Sequence, residues 1–346
     1  IGLLGILQIA VAWLVYEGIG VWGLNNPIGW GFAIINFVWW IGIGNAGTLI
    51  SSMLLLTRQK WRASINRYAE AMTLFSLVVA ATYVFVHVGR PWFAHWTFPY
   101  PNQWELWPNF RSPLLFDVMA IATYLTGSTI FIYMGSIPDF AAVRDRTVGW
   151  RNTMYSLLSL GWRGTDTEWH RLHWAYTFLA VLIIPLAVSV HSIVSWDFAM
   201  SIVPGLHQTI FAPYFVAGAI FSGLAMVITL LVPMRRIFKL EHYITVHHFE
   251  NLAKLMLTTS LIVGYAYLTE FFIAWYSGSP FEQGTFFDRM FGQYWGYSWT
   301  MFTCNVILPL LLFWKAVRTN LTSLFVISIF VNIGMWLERY VIIVTS

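Results

Sequence analysis

The chain has 346 residues, 58% hydrophobic and only 10% charged, with 20 Trp and a mean hydropathy of +0.65. A soluble domain of this length carries about a quarter charged residues, so the composition excludes a soluble globular protein. The formal charge of +4 calls for no nucleic-acid partner, because the basic residues gather in alternate loops.

The apolar runs are continuous, with none of the short alternating segments of a β-barrel. The fold class is therefore an all-α integral membrane protein. Nine spans are expected, near residues 1–22, 28–56, 68–88, 114–137, 174–196, 209–233, 252–277, 294–314 and 321–344. Residues 1–27 hold a first helix that stands alone. Residues 28–208 are expected to form one four-helix bundle and residues 209–346 a second. The chain opens at once on an apolar segment without a basic flank, so no cleavable signal is expected. Starting on Ile1 rather than Met, it is expected to lack preceding residues.

Charge sets the orientation. Arg58, Lys60, Arg62 and Arg67 fall between spans two and three, and Arg144, Arg146, Arg151, Arg163 and Arg171 between four and five. Arg235, Arg236, Lys239 and Lys254 follow span six, and Lys315 and Arg318 separate eight from nine. All of these lie on one side, which the positive-inside rule makes cytoplasmic. The N-terminus is then cytoplasmic too, and the loop after span three is periplasmic in a bacterial inner membrane. That loop, from Pro91 to Pro113, is dense in aromatics: Trp92, Trp96, Phe98, Tyr100, Trp104, Trp107 and Phe110. It reads either as an aromatic belt at the headgroups or as a surface beneath a partner protein. The segment 140–173 reads as a cytoplasmic interfacial helix.

Ionisable groups inside spans are costly and are functional candidates for that reason. His87 and Arg90 share a face at the end of span three. Asp117 opens span four, and Tyr124 lies two turns deeper on the same face. A histidine beside a carboxylate can take and pass a proton near neutral pH; a membrane-edge ion pair or cap is the competing reading. Asn45 sits in the small-residue run Gly42–Thr48, which permits close packing or leaves room for a flat ligand. Glu70, His191, Asp197 and Glu270 are candidates for a proton path, and Glu17, Glu338 and Arg339 are further buried polar candidates. The lone cysteine, Cys304, excludes an iron–sulfur cluster ligated by this chain, and the histidine spacing excludes a pair of transmembrane haems. No metal-binding motif appears. Electrons would have to leave through another chain.

The stretches Ile41–Ser51, Arg58–Arg67, Ala69–Thr73 and His87–Trp92, with Pro99-Tyr100-Pro101-Asn102 and Asn109–Pro113, resemble the NrfD-like, polysulfide-reductase type of membrane subunit. The nearest likeness is to the ActC type found in bacterial alternative complex III. The resemblance implies nine to ten transmembrane helices, two four-helix bundles with flanking helices, and menaquinol as substrate at the periplasmic face of the first. It implies His87 and Asp117 as quinol-binding and proton-accepting residues, with Arg90, Asn45 and Tyr124 nearby. Relatives often carry His where Asn45 stands, and an amide cannot take the quinol proton. The implied partners are an iron–sulfur subunit above the periplasmic face, a second NrfD-like membrane subunit and cytochrome c subunits. The competing readings are a quinone-reducing anchor of a polysulfide-reductase-like enzyme, a proton-coupled secondary transporter and a structural anchor.

Overall fold

The computed structural model describes residues 2–24, 29–97 and 113–346. Phe98, Tyr100, Trp104, Trp107, Phe110 and Arg111 of the aromatic loop lie outside them, as do the motifs at 99–102 and 109–112. The described residues form helices α1 (Gly2–Glu17), α2 (Phe32–Leu56), α3 (Asn66–Val88), α4 (Pro113–Arg144), α5 (Trp150–Leu158), α6 (Asp166–Ala199) and α7 (Phe211–Ile237). They continue with α8 (Val246–Tyr276), α9 (Pro280–Met290), α10 (Trp295–Phe302), α11 (Leu308–Leu310), α12 (Lys315–Arg318) and α13 (Leu321–Val344). Among the described residues, eight segments are long and apolar enough to cross a membrane: α2, α3, α4, α6, α7, α8, the run from α10 through Phe313, and α13.

The first expected span ends earlier than expected. α1 has 16 residues and ends at Glu17, because Gly18 takes φ +85 and a 3-10 turn follows. Only Leu14 of this helix is buried. Glu17 is therefore exposed at a helix end rather than buried in a span.

Two rings of four helices share a wall. α2, α3, α4 and α6 pack in sequence around one ring, and α7, α8, the α10–α11 run and α13 around the other. α2 meets α7 and α13, and α6 meets α7, so one buried core runs through both. α2 is the most enclosed helix, buried without a break from Ile41 to Ser52. Its glycines allow this. A Cβ on Gly47 would overlap the Ala69 carbonyl of α3, and one on Gly44 would stand 3.1 Å from Leu77. Packing thus accounts for the small-residue run. Hydrogen bonds add direction: Thr48 N donates to Thr73 Oγ1 at 2.9 Å, and Trp336 of α13 donates to Asn36 Oδ1 at 2.9 Å.

The seventh crossing segment is not a continuous α-helix. A π-helical turn, Thr303–Ile307, follows α10, and a 3-10 turn ends the run. Pro309 explains part of this. It has no N–H to give to the carbonyl four residues earlier, that of Asn305. Ser260 Oγ of α8 donates to that carbonyl instead, at 2.7 Å. On the basic side, α4 and α6 run past the expected span ends, and α5 between them exposes Trp150, Met154 and Leu157 as an interfacial helix does.

Gly47→Ala is expected to lower stability by about 3 kcal/mol, the upper range for overpacking. Gly5→Ala on α1, where a Cβ meets nothing within 4 Å, is expected to cost nothing and to add at most about 1 kcal/mol through helix propensity. Thermal unfolding followed by tryptophan fluorescence in detergent checks the pair.

Candidate functional site

At the end of the bundle remote from the basic loops, α3 stops one residue after His87. Gly89 takes φ +74, a conformation glycine adopts without strain, and Pro91 follows. His87 is left partly buried in the last turn. Asp117 lies in the second turn of α4, only 7% exposed, and its Oδ1 has no hydrogen-bond partner among the described residues. Across the α4–α6 contact, Asp197 comes close enough for the two carboxylates to interact, and its Oδ1 is likewise without a partner. Asp197 thus lies at the same end of the bundle as Asp117, within range of its charge. The spacing shows it in retrospect, since both residues end neighbouring spans on the side poor in basic residues.

Arg90 turns the other way. Its Nη2 donates to Tyr16 O at 2.8 Å and its Nε to Val15 O at 3.3 Å, satisfying carbonyls at the C-terminus of α1. Such a contact suits a cation, because the last turn of a helix carries partial negative charge. In this arrangement the Arg90 side chain holds α1 against the bundle.

Asn45 and Tyr124 do meet, at a deeper level. Tyr124 is fully buried; its Oη lies 2.5 Å from Thr48 Oγ1 and donates to Asn45 O at 3.0 Å. Asn45 Nδ2 donates to Ala187 O of α6 at 2.6 Å, and its Oδ1 is buried without a partner. Tyr124 is seven residues from Asp117 along α4, and at 1.5 Å per residue that is about 10 Å of depth. Polar residues of this region lie on two storeys: Asp117 and Asp197 above, at the same end of the bundle as His87, and Asn45, Thr48 and Tyr124 below.

Glu70 belongs to neither. It lies near the basic end of α3, where Ser51 Oγ and Tyr176 Oη donate to its Oε1 at 2.6 and 2.5 Å. Arg62 Nη2 stands 3.6 Å and Arg67 Nη1 3.5 Å from its carboxylate, and Arg67 also pairs with Asp139 of α4 at 2.9 Å. One carboxylate thereby ties α2, α3, α4 and α6 together.

His191 is fully buried on α6. Both ring nitrogens lack partners among the described residues, and Nε2 lies 3.5 Å from where a Cβ on Gly42 would stand. Beyond it, in the second ring, Arg339 lies over the Phe215 ring at 5.0 Å and pairs with Glu338. Glu338 accepts a hydrogen bond from Tyr267, whose hydroxyl also accepts from Asn305 Nδ2 at 2.8 Å. Glu270 sits on α8, facing the buried Arg289. Tyr214, Tyr267, Asn305 and Ser298 escape a reading from sequence because neutral polar residues barely dent the hydropathy of a span. His248, one of the histidines near the basic face, caps α8 by accepting from Thr245 N at 2.8 Å. Among the described residues no group of three or more His, Cys, Asp or Glu could hold a metal ion.

Fold and site together define a multi-pass helical membrane protein with buried ionisable groups at both ends of the first helix ring and in the interior of the second. The family model Polysulphide reductase, NrfD, matches residues 20–346, and the chain belongs to that family. It is 26% identical over 243 residues to a putative membrane subunit of dimethyl sulfoxide reductase from Halobacterium salinarum, covering 67% of this chain and 51% of that protein. It is 24% identical over 320 residues to a subunit of selenate reductase from Mesobacillus selenatarsenatis, covering 90% of this chain and 72% of that protein. The chain spans about half the length of the halobacterial relative.

Glu70→Gln would keep the hydrogen bonds to Ser51 and Tyr176 but leave Arg62 and Arg67 unbalanced. The expected loss is about 1–3 kcal/mol, below that of a wholly enclosed pair because Arg67 is 43% exposed. Thermal unfolding of Glu70→Gln beside Asp139→Asn, which touches only the exposed end of the network, measures it.

Proposed function

We propose that the chain is the quinol-oxidising membrane subunit of a respiratory electron-transfer complex, with its site at the periplasmic ends of α3, α4 and α6. The observation that carries this is Asp117: a carboxylate buried at a helix end, with an unpartnered oxygen, beside a second carboxylate and on the hairpin that carries His87. A quinol gives up two electrons and two protons on oxidation, so its site needs groups that accept protons and a route for them to water. His87 takes the proton of one quinol hydroxyl, and Asp117 orients the imidazole and stabilises its cation. Asp197 gives the released protons a second acceptor at the membrane edge. Asn45 and Tyr124 line the floor about two turns below, where hydrogen bonds to neighbouring helices hold them in place.

Electrons pass to an iron–sulfur subunit lying over the segment 91–113. A second NrfD-like membrane subunit and cytochrome c subunits complete an assembly of the alternative complex III kind, with menaquinol as substrate. The named relatives support a second arrangement with the same half-reaction. A dimethyl sulfoxide or selenate reductase consumes electrons, and a quinol pool in the bilayer can supply them through such a subunit. In both arrangements the chain lies in the bacterial inner membrane with its N-terminus cytoplasmic. The ring of residues 28–208 does the chemistry, while that of residues 209–346, with Glu270, together with His191 and Glu70, belongs to any conduction of protons across the membrane.

His87→Ala, Asp117→Asn and Asp197→Asn, each made in the intact complex, are expected to lower quinol oxidation by about 100-fold or more, the range for loss of an acid–base group. The complex should assemble normally in each case. Turnover at the wild-type rate in His87→Ala and Asp117→Asn would sink the assignment, and supplying quinol and quinone in turn fixes the direction.

A further inference from the structure

In the second ring a narrow cavity of about 30 Å³ lies between α7, α8, α9, α10 and α13. Three polar atoms on its wall make no well-formed hydrogen bond among the described residues: Glu270 Oε1, Ser298 Oγ and Tyr214 Oη, the last of which has only the Tyr267 hydroxyl close by. Their side chains are 6%, 1% and 2% exposed, so bulk solvent does not satisfy them. Buried polar groups are nearly always paired with protein or with ordered water. They come from three helices and share one cavity, so a common small ligand could answer all three.

Size and charge narrow that ligand. A site needs about 10–15 Å³ of such space per water molecule, so this one has room for about two and none for an organic molecule. A cation is disfavoured because Arg289, also on the wall, is buried against Glu270 and already opposes its charge. Arg289 is fixed there: its Nε donates to Thr345 Oγ1 at 2.9 Å, and its guanidinium lies 4.9 Å from the centre of the Phe286 ring. An anion would face the Glu270 carboxyl. Water, which both donates and accepts, fits a wall of hydroxyls and a carboxyl.

We propose that this cavity is a water-binding site in which one or two molecules bridge Glu270, Ser298 and Tyr214. It stands independently of the quinol reading. Bound water makes Glu270 a hydrated carboxyl group in the interior of the second ring, joined by hydrogen bonds to α7 and α10.

Radiolytic footprinting of the intact complex in lipid nanodiscs tests it, because X-rays convert bound water into hydroxyl radicals that oxidise the side chains in contact. Tyr214 is expected to be oxidised several-fold faster than Met256 and Phe249, which are at least as buried but lie on the basic half of α8 away from the cavity. Ser298→Leu, which fills the space, should bring Tyr214 down to their level, while Ser298→Ala should keep most of its labelling. Labelling of wild-type Tyr214 no faster than Met256 and Phe249 overturns the proposal, even if Ser298→Leu fails to assemble. So does unchanged labelling in an assembled Ser298→Leu complex.

Discussion

Lipid tails are as apolar as leucine, so helices within a bilayer gain little from hiding apolar side chains and associate by close fit and hydrogen bonding instead. In this chain that constraint converges on α2. Its backbone approaches α3 at Gly47, α3 again at Gly44, and α6 and α7 around Gly42. Only at such short range can Thr48 N reach Thr73, Asn45 reach the Ala187 carbonyl, and Tyr124 reach across from α4. The lower storey of the candidate site is therefore a product of the packing. A wider spacing of α2 and α3 would break the hydrogen bonds that hold it.

Much of the architecture was readable from the chain. Hydropathy located eight crossing segments, since a helix must satisfy its own backbone in lipid and its apolar length follows. At α1 it set the end of the helix five residues too far, because a window average cannot see that Gly18 ends it. The hairpin carrying His87 and Asp117 was also legible, as charges at the ends of apolar runs are conspicuous. Partnership was not. Arg90 caps a helix more than seventy residues earlier in the chain, and Asp197 joins Asp117 only through the α4–α6 contact. Glu70 looked like a lone carboxylate in a span, whereas its partners Ser51, Tyr176 and Arg62 come from three other segments. Side-chain identity tells which groups are expensive in a membrane; tertiary packing decides which of them meet.

The polar residues fall into layers. Carboxylates with unpartnered oxygens stand at one end, an ion-pair network closes the other, and neutral hydroxyls and amides occupy most of the middle of the first ring. The second ring differs, with Glu338, Arg339 and Tyr267 bonded to one another in its interior. Buried ion pairs of this kind cost desolvation and repay it only through close geometry, so they contribute specificity more than stability. The two rings share a helix arrangement without sharing a distribution of charge.

The π-helical turn at Thr303–Ile307 amounts to one surplus residue in a helix that otherwise advances regularly. An extra residue turns everything on one side of it by about 100° relative to the other, since each residue of an α-helix accounts for that much rotation. The lower and upper halves of the span are thus free to choose their inward faces separately. Asn305 reaches Tyr267 on α8, where a regular helix ending in the same Leu312 would point a different side chain at it. Seen as a length of text, the span contains a single inserted letter whose removal would leave the hydropathy untouched and rewrite which side chains face the core.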